Sequence, residues 1–107
     1  MESHMVDILS PEECVEIVTE YFQENFKNFS PVDKGHYTGW WWVKYIDKVS
    51  PMRVEFDGDY GGHFFVYLYI DNKRLGLWQY DPSVTSFEKS TRENILYQLE
   101  CLKRFLS

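Results

Sequence analysis

Residues 63–80 read HFFVYLYIDNKRLGLWQY, and this stretch decides the fold. Because strand side chains alternate between two faces, the stretch predicts a strand with one core face and one aromatic face. The core face comprises Phe64, Val66, Leu68 and Ile70. The aromatic face comprises His63, Phe65, Tyr67 and Tyr69. Residues 71–74 are predicted to form a hairpin loop, since Asp and Asn tolerate turn conformations, and residues 75–80 the returning strand.

Two further strands are predicted before this stretch. In residues 37–47, Trp41, Val43 and Tyr45 share one face, and Trp40, Trp42 and Lys44 share the other. In residues 52–57, Met52, Val54 and Phe56 alternate with Arg53, Glu55 and Asp57, which is typical of a half-buried strand.

A helix is predicted at each end of the chain. Ser10-Pro11-Glu12-Glu13 is a capping-box helix start, and we expect the helix to continue through Phe29 and to end at Ser30-Pro31. Residues 90–93 predict a second capping box, followed by a helix to the C-terminus. The order α-β-β-β-β-α predicts an α+β domain with a four-stranded antiparallel meander and both helices on one face.

Charge is distributed unevenly along the 107 residues. The first 24 residues hold seven acids and no Lys or Arg, whereas residues 25–107 carry a net charge of +1, so the whole excess of −6 lies at the N-terminus. Four glutamates recur at helical spacing and form what we call the acidic stripe: Glu13, Glu16, Glu20 and Glu24. This distribution argues against nucleic acid or an anionic membrane as the partner, because both are bound by cationic surfaces.

The length and composition indicate one domain without a membrane span, because no apolar run approaches 18 residues. Residues 1–4 are interpreted as the remnant of a cloning vector, which leaves a domain of residues 5–107. No signal peptide is recognisable, so we expect a cytoplasmic protein. In that reducing compartment Cys14 and Cys101 are expected to be free core thiols, although a disulfide between them stays open.

Two surfaces are candidates for binding a protein partner. The first is the aromatic sheet face, since Tyr, Trp and Arg dominate protein interface hot spots. Its predicted rings are Trp40, Trp42, Phe65, Tyr67, Tyr69, Trp78 and Tyr80. The second is the acidic stripe, whose unrelieved negative charge suits a cationic partner. The alternatives are rings that only cover the sheet or pack under a helix, and a stripe that is the solvated side of its helix.

Catalytic or metal-binding patterns are weak in this chain. Glu55, Asp57, Asp59 and His63 come closest, but the ligand pattern and closing glutamate of a calcium loop are missing, which favours a polar hairpin loop. No zinc spacing, phosphate-binding loop or dinucleotide fingerprint is present. We therefore expect no enzyme, no metal site and no cofactor.

In length, acidity, aromatic richness and α+β order, the chain resembles immunity proteins of bacterial polymorphic toxin systems, including contact-dependent growth inhibition. The resemblance implies a cytoplasmic protein that binds and neutralises a cognate basic toxin domain, such as a nuclease. One alternative is a phage-encoded inhibitor of a host nuclease. Another is an aromatic-lined small-ligand or single-strand nucleic-acid binding module. A homodimer through the exposed sheet also stays open.

Overall fold

The computed structural model describes residues 8–86 and 88–107, so the proposed vector remnant lies outside the described residues. The elements are α1 (Pro11–Asn25), β1 (Phe29–Tyr37), β2 (Trp40–Asp47), β3 (Arg53–Gly58), β4 (His63–Ile70), β5 (Lys73–Gly76), β6 (Glu88–Lys89) and α2 (Arg92–Leu106). A single 3-10 turn, Leu77–Gln79, follows β5. The predicted α+β class is confirmed, with more strands than the four expected.

All neighbouring strands of the sheet are antiparallel, in the order β1-β2-β3-β4-β5. The short strand β6 pairs with the beginning of β4, at His63 and Phe64, while β5 pairs with its end. The predicted meander is therefore present and longer by one strand at its start. Neither helix in the described part of the chain has the length and apolar character needed to cross a membrane.

The core lies between the helices and one face of the sheet. The strand residues buried there are those that the alternation predicts: Trp41, Val43, Tyr45, Val54, Phe56, Phe64, Val66 and Leu68. Phe22 of α1 stacks on Tyr45 with ring centroids 4.0 Å apart, which joins the helix to the sheet. Cys14 and Cys101 are both buried free thiols, and burial raises the pKa of Cys14 to about 12.

The beginning of α1 follows the prediction. The Glu13 backbone N–H donates to Ser10 Oγ at 3.2 Å, and the Ser10 N–H donates to Glu13 Oε1 at 3.0 Å, which completes the capping box. The end was predicted wrongly, because the helix stops at Asn25 with Phe26 as its C-cap. Phe29, which follows the apolar spacing of the helix, lies instead in β1. Its ring still contacts that of Phe26, with ring centroids 5.9 Å apart.

The first predicted strand begins at residue 37, but the structure places residues 29–37 in the additional strand β1. Pro31 lacks an N–H group, yet it is tolerated because β1 is the edge strand of the sheet. The register with β2 shifts between Pro31 and Asp33. Polar side chains and this irregularity hide the alternation that would have marked the strand.

The hairpin after β4 is tighter than expected. Asp71 and Asn72 both have positive φ, 52° and 66°, which makes a two-residue turn rather than the predicted loop of four. The predicted strand over residues 75–80 was wrong beyond Gly76. There the Gly76 N–H donates to Gln79 Oε1 at 2.9 Å, and the 3-10 turn places Leu77 in the core.

The start of α2 lies one residue later than predicted. Thr91 is the N-cap, and its Oγ1 accepts the Asn94 N–H at 3.1 Å. The predicted capping box between Ser90 and Glu93 is therefore wrong. The loop before α2 contacts that helix, because the hydroxyl of Tyr97 on α2 donates a hydrogen bond to the backbone carbonyl oxygen of Ser83.

Candidate protein-binding face

The sheet face that points away from the helices, here called the open face, carries rows of paired side chains across the strands. One row contains Trp42, Asp57 and Phe65, the next Lys44, Glu55 and Tyr67, and the third Arg53, Tyr69 and Arg74. The predicted grouping of Trp42, Phe65, Tyr67 and Tyr69 on one face is therefore correct. These four side chains are partly exposed.

Three rings at the β1–β2 end of the open face form a cluster, which we call the aromatic triad: Tyr37, Trp40 and Trp42. Their centroids lie 5.5 to 6.0 Å apart. Gly35 of β1 pairs with Trp42, and a Cβ at Gly35 would come within 2.6 Å of the indole. The missing side chain at Gly35 therefore lets the Trp42 ring lie across β1.

Carboxyl groups lie beside the triad. Lys44 Nζ is 3.8 Å from Glu55 Oε2, and Glu55 is also hydrogen-bonded to Asp57 two residues along β3. Burial first, and then the hydrogen bond and charge of Glu55, raise the pKa of Asp57 to about 7. Asp57 therefore keeps its proton up to near neutral pH, because burial and the neighbouring Glu55 charge disfavour its ionised form.

Together the triad and the carboxyls line an open cleft of about 380 Å³, here called the acidic–aromatic cleft. Its lining comprises Asp33, Tyr37, Trp40, Trp42, Lys44, Glu55 and Asp57. Asp33 and Tyr37 were not among the predicted site residues. Asp33 pairs with Lys44 and Tyr37 with Trp40 only because residues 29–37 form a strand. Recognising that strand would have placed both residues on the open face.

The other end of the open face already contains cations over its rings. The Arg53 guanidinium carbon lies 4.5 Å from the Tyr69 ring centroid, and that of Arg74 lies 4.0 Å from the Tyr67 centroid. Trp78, from the 3-10 turn, contacts Tyr67 edge to face at 5.6 Å. This end of the face is a packed set of cation–π and ring contacts.

Tyr80 was predicted to join the aromatic face, and this was wrong. Its ring packs against Phe105 of α2, with centroids 4.8 Å apart. The strand β5 ends at Gly76 and a 3-10 turn follows it, so Tyr80 lies against the helix layer and not in a strand of the sheet.

The acidic stripe is exposed along α1. Glu13 has a structural role in the capping box, and its hydrogen bonds with Ser10 lower its pKa. Within residues 8–86 and 88–107, no ion pair involves Glu16, Glu20 or Glu24. Since the opposite side of α1 packs on the sheet, the stripe and the open face point in opposite directions. The structure therefore does not bring the two predicted surfaces together.

The loop around Asp59 is a polar turn. Asp59 Oδ1 accepts the N–H groups of Gly61 and His63 at 2.9 and 3.1 Å, and it lies 4.0 Å from His63 Nδ1. In the described part of the chain, no group of three or more His, Cys, Asp or Glu side chains is placed to hold a metal ion.

The chain matches no protein-family model, and searches against curated proteins and solved structures find no significant match. Its function is therefore inferred from its own residues, above all from those of the open face.

Proposed function

We propose that this protein is a cytoplasmic immunity protein that binds a basic toxin domain, of nuclease type, and neutralises it without any enzymatic step. The observation that carries the proposal is the acidic–aromatic cleft on the open face. Trp40 is 44% exposed at its rim, although the helices bury every large side chain on the other side of β2. Exposed Trp and Tyr rings next to carboxylates favour a protein partner with cationic side chains.

Charge favours a protein over a nucleic acid at this face. The cleft is lined by Asp33, Glu55 and Asp57, whose carboxylates would repel a phosphate backbone. Arg53 and Arg74 on this face already stack on tyrosine rings, and Lys44 lies 3.8 Å from Glu55. A nuclease, by contrast, presents a cationic surface because it has to bind phosphate, and such a surface matches the carboxylates.

We assign a different role to the acidic stripe. Because Glu16, Glu20 and Glu24 point away from the open face, a partner seated on the cleft does not contact them. Their field instead attracts a basic partner during diffusion, which raises the association rate. The acidic stripe therefore contributes to the rate of association, and the acidic–aromatic cleft contributes to the bound interface.

The proposal is tested by co-expression with the toxin domain encoded beside its gene. The wild-type chain should restore growth of cells that produce the toxin domain, and the two purified proteins should form a complex. Adjacency of the toxin gene also separates an immunity protein from a phage-encoded inhibitor of a host nuclease. Unrelieved growth arrest together with no complex between the purified proteins would contradict the proposal.

The steering role has its own measurement, with Glu20→Lys as the test variant and Glu93→Lys, on α2, as a control with the same change of net charge. Two unit charges 10 Å apart interact by about 0.4 kcal/mol in water, and reversal of one doubles the difference. Glu20→Lys should therefore slow association about fourfold at low salt, and the difference should vanish at high salt. Equal association rates for the two variants would remove the steering role.

A further inference from the structure

We propose that the acidic–aromatic cleft is a recognition site for a guanidinium group and receives an arginine side chain of the bound protein. That the guanidinium belongs to a protein partner rests on the proposed function. The preference of the cleft for a guanidinium does not rest on that function, because it follows from the rings and carboxyls that line the cleft.

The walls of the cleft suit a flat cation. The rings of Tyr37, Trp40 and Trp42 lie within 6.0 Å of one another, and the negative faces of such rings attract cations. Among the described residues, the cation–π contacts lie at Tyr67 and Tyr69, and none lies on the triad. The ring faces of the triad therefore have no cation–π partner among the described residues, whereas two other rings on the same surface each contact a guanidinium.

The floor of the cleft supplies acceptors. Three carboxyl groups and one ammonium line it, which gives a net charge of −2 when all are ionised. Lys44 is 3.8 Å from Glu55 and offsets part of that charge, while Asp33 and Asp57 lie on the strands to either side of it. A guanidinium has five N–H donors in a planar fork, so it can bond to two carboxyls while its plane stacks on a ring.

The same open face already contains the proposed arrangement in two copies. Arg53 over Tyr69 and Arg74 over Tyr67 place a guanidinium 4.5 and 4.0 Å from a ring that projects from β4. A lysine ammonium lacks the planar stacking surface and the fork. The cleft should therefore select arginine over lysine.

Binding should be linked to a proton. The charged groups that act on Asp57 are Glu55 on its own strand, Lys44 on β2 and Arg74 on β5. With the proton on Asp57, the cleft loses one of its negative charges. An incoming guanidinium displaces that proton, so affinity should rise as the pH increases through about 7.

The test uses N-acetyl-arginine amide as the probe and follows the indole N–H signals of the four tryptophans by NMR. The expected result is a saturable shift of the Trp40 and Trp42 signals, while those of Trp41 and Trp78 stay in place. N-acetyl-citrulline amide, which has nearly the same shape without the charge, should produce no shift, and the lysine analogue should bind more weakly. Tighter binding at pH 8 than at pH 6 is also expected.

At pH 8, where Asp57 is ionised as well, Glu55→Gln should weaken binding of the arginine probe about tenfold, because a charge-assisted hydrogen bond is lost. Glu93→Gln, on α2, is the matched control and should leave the affinity unchanged. Equal binding of the citrulline or the lysine analogue would overturn the proposal, and so would an affinity that Glu55→Gln leaves unchanged.

This experiment is independent of the toxin. A cleft that binds the probe in a chain that fails to protect cells would leave the site standing and refute the immunity role. A chain that protects cells but does not bind the probe would support the immunity role and refute the guanidinium site.

Discussion

Replacing Asp57 by asparagine should make the protein more stable at pH 8 and leave its stability nearly unchanged below pH 4. The pKa of Asp57 is raised from an ordinary value of 3.8 to about 7, so the folded chain holds a proton that the unfolded chain has released over that interval. Folding stability therefore falls as the pH rises from about 4 to about 7, and the loss is complete above that range.

The size of this effect follows from the same pKa. A rise in pKa from 3.8 to about 7 corresponds to about 4 kcal/mol of unfolding free energy before solvent screening is taken into account. The side chain is partly open to water, and solvent screening reduces this to about 2 kcal/mol. Asparagine keeps a donor toward Glu55, as the protonated acid does, but it never acquires a charge.

Urea unfolding at a series of pH values provides the measurement. The free energy of unfolding of the wild type should fall by about 2 kcal/mol between pH 4 and pH 8, and that of Asp57→Asn should lack this decrease. Glu55→Gln is a useful second variant, since removing the neighbouring charge should lower the pKa of Asp57 and weaken the pH dependence. Parallel pH profiles for the wild type and Asp57→Asn would refute the reasoning.

Three other substitutions test the packing of the fold by chemical denaturation. Gly58→Ala should lose about 3 kcal/mol, because a Cβ there would overlap the buried Trp41 indole. Tyr21→Phe should lose about 1 kcal/mol, since the hydroxyl that donates to Glu100 joins the two helices. Thr91→Ala should lose about 1 kcal/mol through the missing N-cap of α2. A change below 0.3 kcal/mol in any of these variants would contradict the contact assigned to it.

Gly35→Ala is the matched control for the glycine substitution. Its new Cβ would come within 2.6 Å of the Trp42 ring, which is partly exposed and can tilt outward. The loss of stability should therefore be smaller than at Gly58, and near-UV circular dichroism should report the tilted indole. An equal loss at the two positions would show that burial of the ring does not set the cost.

The alternation of side chains in β2, β3 and β4 was sufficient to predict which side chains enter the core. It worked because each of these strands has the core on one face and an amphipathic surface on the other. Trp41 and Trp42 illustrate this, since neighbours in sequence lie on opposite sides of the sheet. The face assignment of Trp42, Phe65, Tyr67 and Tyr69 followed from the same period.

Where the sequence failed as a guide, long-range pairing outweighed the local pattern. The strand β1 has no alternation, because it is an edge strand with Pro31 and a register shift, and its pairing with β2 supplies its structure. Asp33 and Tyr37 were missed for that reason. Tyr80 was misplaced because a short 3-10 turn, which alternation cannot reveal, ends the strand before it.

The two-sided sheet also bears on how this chain can change over generations. Substitutions at positions such as Asp33 or Trp40 alter the outer surface without opening a void among the buried rings beneath it. Under the proposed binding role, selection for a new target can therefore change that surface quickly, while the inward side chains change slowly because the fold has to stay stable. Among homologues, the outward positions of the first three strands should vary together with the sequence of the partner, and the inward positions should not.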